Sequence, residues 1–281
     1  MNELTHIESI IEHYNAVFCD VWGVVHNGEK AFEPALKVLH KIRQMGKSVI
    51  FLTNSPRPRE DVIAQLQSMN IHNGYYDAII TSGDVTRDLI RAAPRKVFFI
   101  GLQRDLVLFE GLECELVEEW EASVVVCSGF LKDLDATPRA YESMFHRIRA
   151  RNLPFICANP DIIVHSGNQE FWCAGALARL YQQLGGEVRV AGKPHASIYN
   201  CAFEKLREMC KPMEKSNVLA IGDGLLTDVK GAVDFGLDAL YIMSGIHRHD
   251  YMKNGVVDKE ALHAFLKHYG YEPKAMMWAL Q

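Results

Sequence analysis

The sequence predicts an α/β protein with a mostly parallel sheet. Short apolar runs alternate with amphipathic stretches from end to end. The runs are strand-length and rich in β-branched or aromatic residues, without clean alternation, as expected of strands buried on both faces of a parallel sheet. The stretches between them repeat apolar residues at helical spacing.

In chain order the strand-like runs are Val17-Phe18-Cys19, Val49-Ile50-Phe51-Leu52, Ala78-Ile79-Ile80, Val97-Phe98-Phe99-Ile100, Val124-Val125-Val126-Cys127, Phe155-Ile156-Cys157-Ala158, Val188-Arg189-Val190, Val218-Leu219-Ala220-Ile221 and Ala239-Leu240-Tyr241-Ile242. Leu36, Leu39, Ile42 and Met45 mark a helix that Gly46 stops. Val62, Ile63, Leu66 and Met69 mark another. So do Tyr141, Met144, Phe145 and Ile148, then Phe203, Leu206 and Met209, then Leu226, Val229 and Val233 up to Gly236.

The loops after the runs carry the chemistry. Asp20 follows the first run, with Trp22-Gly23 behind it. Thr53-Asn54-Ser55-Pro56-Arg57 follows Leu52, and Thr81-Ser82-Gly83-Asp84 follows Ile80. Asn159-Pro160-Asp161 follows Ala158, Gly192-Lys193-Pro194 follows Ala191, and Gly222-Asp223 leads to Thr227-Asp228. In open α/β sheets, ligands collect at the carboxyl ends of the strands. Hydroxyls and glycine N–H groups there hold phosphate oxygens, a lysine neutralises them, and carboxylates hold a hard divalent cation. Alone, each residue also has a plainer reading. Asp20, Thr53 and Asn54 suit turns, Asp223 and Asp228 suit a helix N-terminus, and Lys193 suits a solvated loop.

The totals bound the answer. The 281 residues allow two domains or one with an insertion. A net charge of −5 and no Lys/Arg run leave no electrostatic footprint for nucleic acid or a membrane surface. The apolar runs are too short to span a bilayer, and the start, Met1 to Glu8, lacks the pattern of a signal peptide. The seven cysteines are odd in number and form no CxxC pair, which reads as free thiols in a reducing, cytoplasmic setting.

Taken in order, these loops resemble the four motifs of the haloacid dehalogenase (HAD) superfamily, in its NagD-like branch. Asp20-Val21-Trp22-Gly23-Val24 resembles motif one, Thr53-Asn54 motif two, Gly192-Lys193-Pro194 motif three, and Gly222-Asp223 with Thr227-Asp228 motif four. Thr81-Ser82-Gly83 and Ala158-Asn159-Pro160-Asp161 point to the same branch. The resemblance implies a Rossmann-like core with an inserted α/β cap. The core would be residues 1–83 and 188–281, and the cap residues 84–187. It also implies a Mg²⁺-dependent phosphohydrolase acting on a small phosphorylated metabolite.

In that reading Asp20 attacks phosphorus and forms an aspartyl-phosphate, which water hydrolyses. Thr53, Asn54 and Lys193 would hold the phosphate, and Lys193 would offset charge in the transition state. Asp223, an oxygen of Asp20 and the Trp22 carbonyl would bind Mg²⁺. Asp228 would orient Lys193 or a water on the metal. Asn159 and Asp161 would touch the substrate from the cap.

Trp22 departs from the family's phosphatases, which usually carry a second aspartate there as general acid and base. Indole N–H is a donor that does not titrate usefully. Three explanations stay open: substrates with good leaving groups, a proton from His26, or binding of a phosphorylated ligand without efficient turnover. A metal-independent dehalogenase is a further alternative, against which Asp223 and Asp228 argue. Trp172 reads as a core aromatic of a helix with Ala174, Leu177 and Leu180, or as a substrate contact. Ser244 to Arg248 either borders the site or is a basic loop, and His247, His249 and Asp250 make a weak metal pattern. The leaving group is open, and so is a homo-oligomer paired through the cap.

Overall fold

A computed structural model describes residues 3–131, 137–166 and 169–281. The chain forms two compact units. The first is Met1–Thr53, Ile63–Ile80 and Tyr199–Gln281, and the second is Asn54–Val62 with Thr81–Ile198.

The first unit is built on a six-stranded sheet. Its strands are β1 (Ala16–Cys19), β2 (Ser48–Thr53), β3 (Ala78–Thr81), β11 (Val218–Gly222), β12 (Asp238–Ile242) and β15 (Ala275–Met277), in the order β15-β12-β11-β1-β2-β3. The β1–β2, β1–β11, β11–β12 and β12–β15 pairs are all parallel. Every residue of β1, β2 and β11 is buried, which explains why these strands read as unbroken apolar runs. The chain winds outward from β1 to β3 on one side, then returns to β11 on the other side of β1. The carboxyl ends of β1 and β11 therefore flank the point where strand order reverses, the usual crevice of an open α/β sheet.

The second unit has its own parallel sheet. Its strands are β4 (Lys96–Ile100), β5 (Glu115–Leu116), β6 (Val124–Cys127), β7 (Phe155–Cys157) and β10 (Val188–Val190), in the order β10-β7-β6-β4-β5. Val125, Cys127, Phe155 and Cys157 face one apolar layer with Tyr141, Phe145, Ile148, Leu177 and Tyr181. Val124, Val126, Ile156 and Ala158 face the other, with Ile90, Leu108 and Phe109. Successive strand residues point to opposite faces, and both faces are covered by packed side chains. Val188–Val190, expected at the start of the second core segment, is the edge strand of this sheet, hydrogen-bonded to Phe155–Cys157.

All the runs listed above contain strands, and the helices fall where periodicity places them, with three differences. The segment after β3 is a helix rather than a loop: Ser82–Arg91 is helical, and Thr81 caps it by accepting from the Asp84 N–H at 2.9 Å. In motif four the helix opens with a π-turn, Leu225–Val229, before Lys230–Phe235. The wide turn brings Leu225, Asp228 and Val229 inside and leaves Leu226 and Val233 exposed. A strict 3.6-residue repeat therefore picks the wrong face for Leu226 and Val233. Trp172 lies on an antiparallel hairpin, Ile163–Ser166 with Gln169–Trp172, and is 45% exposed, so it is neither helical nor core. Among the described residues no helix is long and apolar enough to cross a membrane, and all seven cysteines are free thiols.

Candidate active site

In the first unit three carboxylates converge. Asp20 follows β1, Asp223 follows β11, and Asp228 sits in the π-turn. All three are buried, and one ligand oxygen from each lies within 4.8 Å of the others. Among the described residues they are the one group of three or more His, Cys, Asp or Glu side chains that meets this way. His247, His249 and Asp250 do not join such a group, although His247 Nδ1 lies 3.4 Å from Asp250 Oδ2.

The backbone holds each carboxylate in place. The Asp20 N–H continues the sheet ladder, donating to the Ile221 carbonyl at 2.8 Å. Asp223 Oδ2 accepts from the Ile246 N–H at 2.8 Å. Asp228 Oδ2 accepts from the Gly224 N–H at 3.0 Å, while the Asp228 N–H donates back to the Gly224 carbonyl at 2.8 Å. Gly23 has φ +90°, and a Cβ there would collide with the Asp223 carboxylate. The motif-one loop can lie against Asp223 only because residue 23 is glycine. The Gly245-Ile246 backbone closes over Asp223 in the same way, which settles how the Ser244 to Arg248 segment behaves: it borders the carboxylates through its main chain.

Three buried carboxylates this close repel one another unless a cation lies among them. The donors are all oxygens, which suits a hard divalent ion rather than zinc or copper. The residues present therefore fit Mg²⁺.

Trp22 and His26 form a fixed aromatic pair beside this cluster, with ring centroids 5.1 Å apart in an edge-on arrangement. The Gly23 N–H donates to the His26 carbonyl at 2.8 Å, which ties the loop across itself. His26 is 3% exposed, and its Nδ1 accepts from the Gly28 N–H at 2.9 Å. Burial lowers its pKa from 6.5 to about 4. His26 is therefore neutral at pH 7, with one ring nitrogen already used as an acceptor. Its burial and its engaged Nδ1 both weigh against a role as proton donor.

The remaining motif residues are buried polar groups. Thr53 ends β2 in the first unit. In the second unit Asn54 and Lys193 meet: the Lys193 N–H donates to Asn54 Oδ1 at 2.8 Å, and Asn54 Nδ2 donates to the Lys193 carbonyl at 3.2 Å. Asn54 Nδ2 also donates to Asp161 Oδ1 at 2.8 Å. Asn159 Oδ1 accepts from the Asp161 N–H at 3.0 Å. Sequence reasoning places Asn54, Asn159, Asp161 and Lys193 near a ligand, but not in one hydrogen-bonded chain.

Residues 17–115 match the model of a haloacid dehalogenase-like hydrolase family, and residues 190–268 match a second, HAD-hydrolase-like model. A solved hydrolase of the haloacid dehalogenase-like family from Brucella suis 1330 is 49% identical, with a TM-score of 0.88 over 98% of this chain and 99% of that one. The chain belongs to the haloacid dehalogenase-like hydrolases. Among its relatives is the ribonucleotide monophosphatase NagD of Escherichia coli (strain K12), 23% identical over 83% of this chain and 89% of that one. A glycerol phosphate phosphatase from Mycobacterium tuberculosis, solved in complex with magnesium, shares the fold. Its TM-score is 0.64 at 21% identity, over 84% of this chain and 70% of that one. This HAD-like hydrolase is thus an enzyme whose named relatives include phosphatases.

Proposed function

We propose that the chain is a Mg²⁺-dependent phosphohydrolase that forms an aspartyl-phosphate on Asp20. The observation that carries the proposal is the convergence of Asp20, Asp223 and Asp228 in a buried, all-oxygen cluster. Asp20, Asp223 and the Trp22 carbonyl would hold the ion, whose charge would let a carboxylate approach a phosphate dianion. Magnesium bound to a structural relative supports this choice.

An Asp20 oxygen attacks phosphorus, and the bond from phosphorus to the leaving oxygen breaks. Thr53 and Lys193 hold the phosphoryl oxygens, and the Lys193 ammonium offsets their growing charge, while the Asn54 amide, its N–H groups engaged by Asp161 and the Lys193 carbonyl, serves the site by holding Lys193. Asp228, held by the Gly224 N–H, would orient a water beside the ion. Water then attacks phosphorus, freeing the Asp20 carboxylate and releasing phosphate, with the water's proton passing to the phosphate. Trp22 gives the leaving oxygen no proton. His26, neutral and with Nδ1 engaged, does not replace it. Substrates whose leaving group departs as a stable anion, such as aryl and acyl phosphates, are favoured.

The division into a core, 1–83 and 188–281, and an inserted cap, 84–187, belongs to the same proposal, with the 188–190 strand hydrogen-bonded to the cap's sheet. Free thiols throughout suit a cytoplasmic enzyme.

The test is phosphate release from p-nitrophenyl phosphate and acetyl phosphate with Mg²⁺, with EDTA, and with Asp20→Asn. Turnover should require the metal and fall about 10³-fold or more in the variant. Absence of turnover, with Mg²⁺-dependent binding of beryllofluoride, would favour a phospho-ligand-binding role instead.

A further inference from the structure

Asp161 lies on the loop after β7, where a substrate-touching role is the natural expectation. Its hydrogen bonds point elsewhere. We infer that Asp161 is a positioning residue for the Lys193 loop, acting through the side-chain amide of Asn54.

All the groups involved lie in the second unit. Asn54 docks on Lys193 as a neighbouring strand would, with its Oδ1 accepting from the Lys193 N–H at 2.8 Å and its Nδ2 donating to the Lys193 carbonyl at 3.2 Å. Both side chains are buried, at 4% and 3% exposure. An amide in this place has two orientations, related by exchange of its oxygen and nitrogen. Only one of them pairs with Lys193.

Asp161 selects that orientation. Its Oδ1 lies 2.8 Å from Asn54 Nδ2. A carboxylate accepts hydrogen bonds and donates none, so the group facing it must be the NH₂. That choice turns Asn54 Oδ1 toward Lys193. In the flipped state two acceptors would face each other at Asp161 and two donors at the Lys193 N–H, a costly arrangement in a buried site.

Asp161 is itself held from two sides. Its N–H donates to Asn159 Oδ1 at 3.0 Å, and its carbonyl accepts from the Gly175 N–H at 3.1 Å, at the start of the Ala174–Gln183 helix. The Lys193 loop depends on the amide in a second way. Gly192 has φ +93°, and a Cβ there would lie 2.6 Å from Asn54 Oδ1. The turn before Lys193 is shaped around that oxygen.

The inference rests on the proposed role of Lys193 at the phosphoryl group. If Asp161 works through Lys193, its loss affects the phosphoryl end of every substrate alike. If Asp161 touches the leaving group, the loss depends on which leaving group is used. The experiment measures kcat and KM for p-nitrophenyl phosphate and acetyl phosphate in the wild type, Asp161→Ala, Asp161→Asn, Lys193→Ala and the Asp161→Ala/Lys193→Ala double variant. Amide hydrogen exchange of the 191–195 segment is measured on the same proteins.

Asp161→Ala should lower kcat about 10- to 100-fold on both substrates by the same factor, as is usual for groups that orient a functional side chain. Asp161→Asn should recover part of the loss, because its oxygen can still accept. In the Lys193→Ala background, Asp161→Ala should cost less than twofold, since residues acting as one unit are not additive. Exchange at the Lys193 amide should speed up about tenfold or more in Asp161→Ala, with the β6 and β7 amides unchanged. A loss that differs between the substrates, or a full additional loss on top of Lys193→Ala, overturns the inference. Unchanged exchange at Lys193 overturns it even if the wild type shows no phosphatase activity, so failure of the phosphatase reading is seen separately.

Discussion

In the proposed reaction Trp22 supplies neither acid nor base, and the rates should show it. Without that acid, rates should fall steeply as the leaving group becomes more basic. Trp22→Asp should raise turnover of an alkyl phosphate relative to p-nitrophenyl phosphate by about 10²-fold or more, measured as the ratio of kcat/KM values. An unchanged ratio would remove Trp22 from the explanation of substrate range. His26 makes a separate prediction about stability. Its folded pKa lies below the ordinary value, so the unfolded chain binds more protons between about 4 and 6.5. The stabilisation from keeping His26 neutral is complete above pH 6.5 and is lost as pH falls toward 4, amounting to up to about 3 kcal/mol. Urea unfolding midpoints at pH 7.5 and pH 5 should differ less in His26→Gln than in the wild type. Sequence alone could name both residues. It could not tell that His26 is buried or that Gly28 occupies its Nδ1, because burial comes from distant parts of the chain.

Elements are where periodicity served well and where it slipped. Strands buried on both faces produce apolar runs that any window detects, so the strands carrying the site are legible. The motif-four helix was legible as a helix but not in phase, because its π-turn inserts an extra residue and moves Leu225 and Asp228 inward. The Ser82–Arg91 helix hid behind small polar residues that look like a loop, although Thr81 is a regular N-cap. In the second unit a tyrosine ties a helix to the segment that leads into β7: Tyr181 on the Ala174–Gln183 helix is fully buried and donates to the Leu153 carbonyl at 2.7 Å. Tyr181→Phe keeps the ring packing but leaves that carbonyl unpaired. It should cost about 1–3 kcal/mol in denaturant unfolding, with no effect on kcat beyond twofold. A larger drop in kcat at unchanged stability would mean that this helix contributes to the site directly.

At the scale of the whole molecule, the proposed ion would couple the carboxylate cluster to folding. Asp20, Asp223 and Asp228 come from three separate places in the chain and repel one another when brought together, so an ion that binds only the folded state stabilises it. Mg²⁺ at about a hundredfold excess over its Kd should contribute about 2–3 kcal/mol and raise the melting temperature. Asp223→Asn should remove most of that increment, and a rise that persists in the variant would place the ion elsewhere. What the sequence by itself determined is the set of strands, the residues at their carboxyl ends and the family they resemble, because each depends on short-range patterns of hydropathy and residue type. Only the tertiary structure decided that the three aspartates share one buried cluster, that the Gly245-Ile246 backbone closes over Asp223, that β10 joins the second sheet, and that Asp161 faces Asn54. Those outcomes depend on which chain segments become neighbours, and that follows from packing whole sheets and helices together rather than from any local stretch of residues.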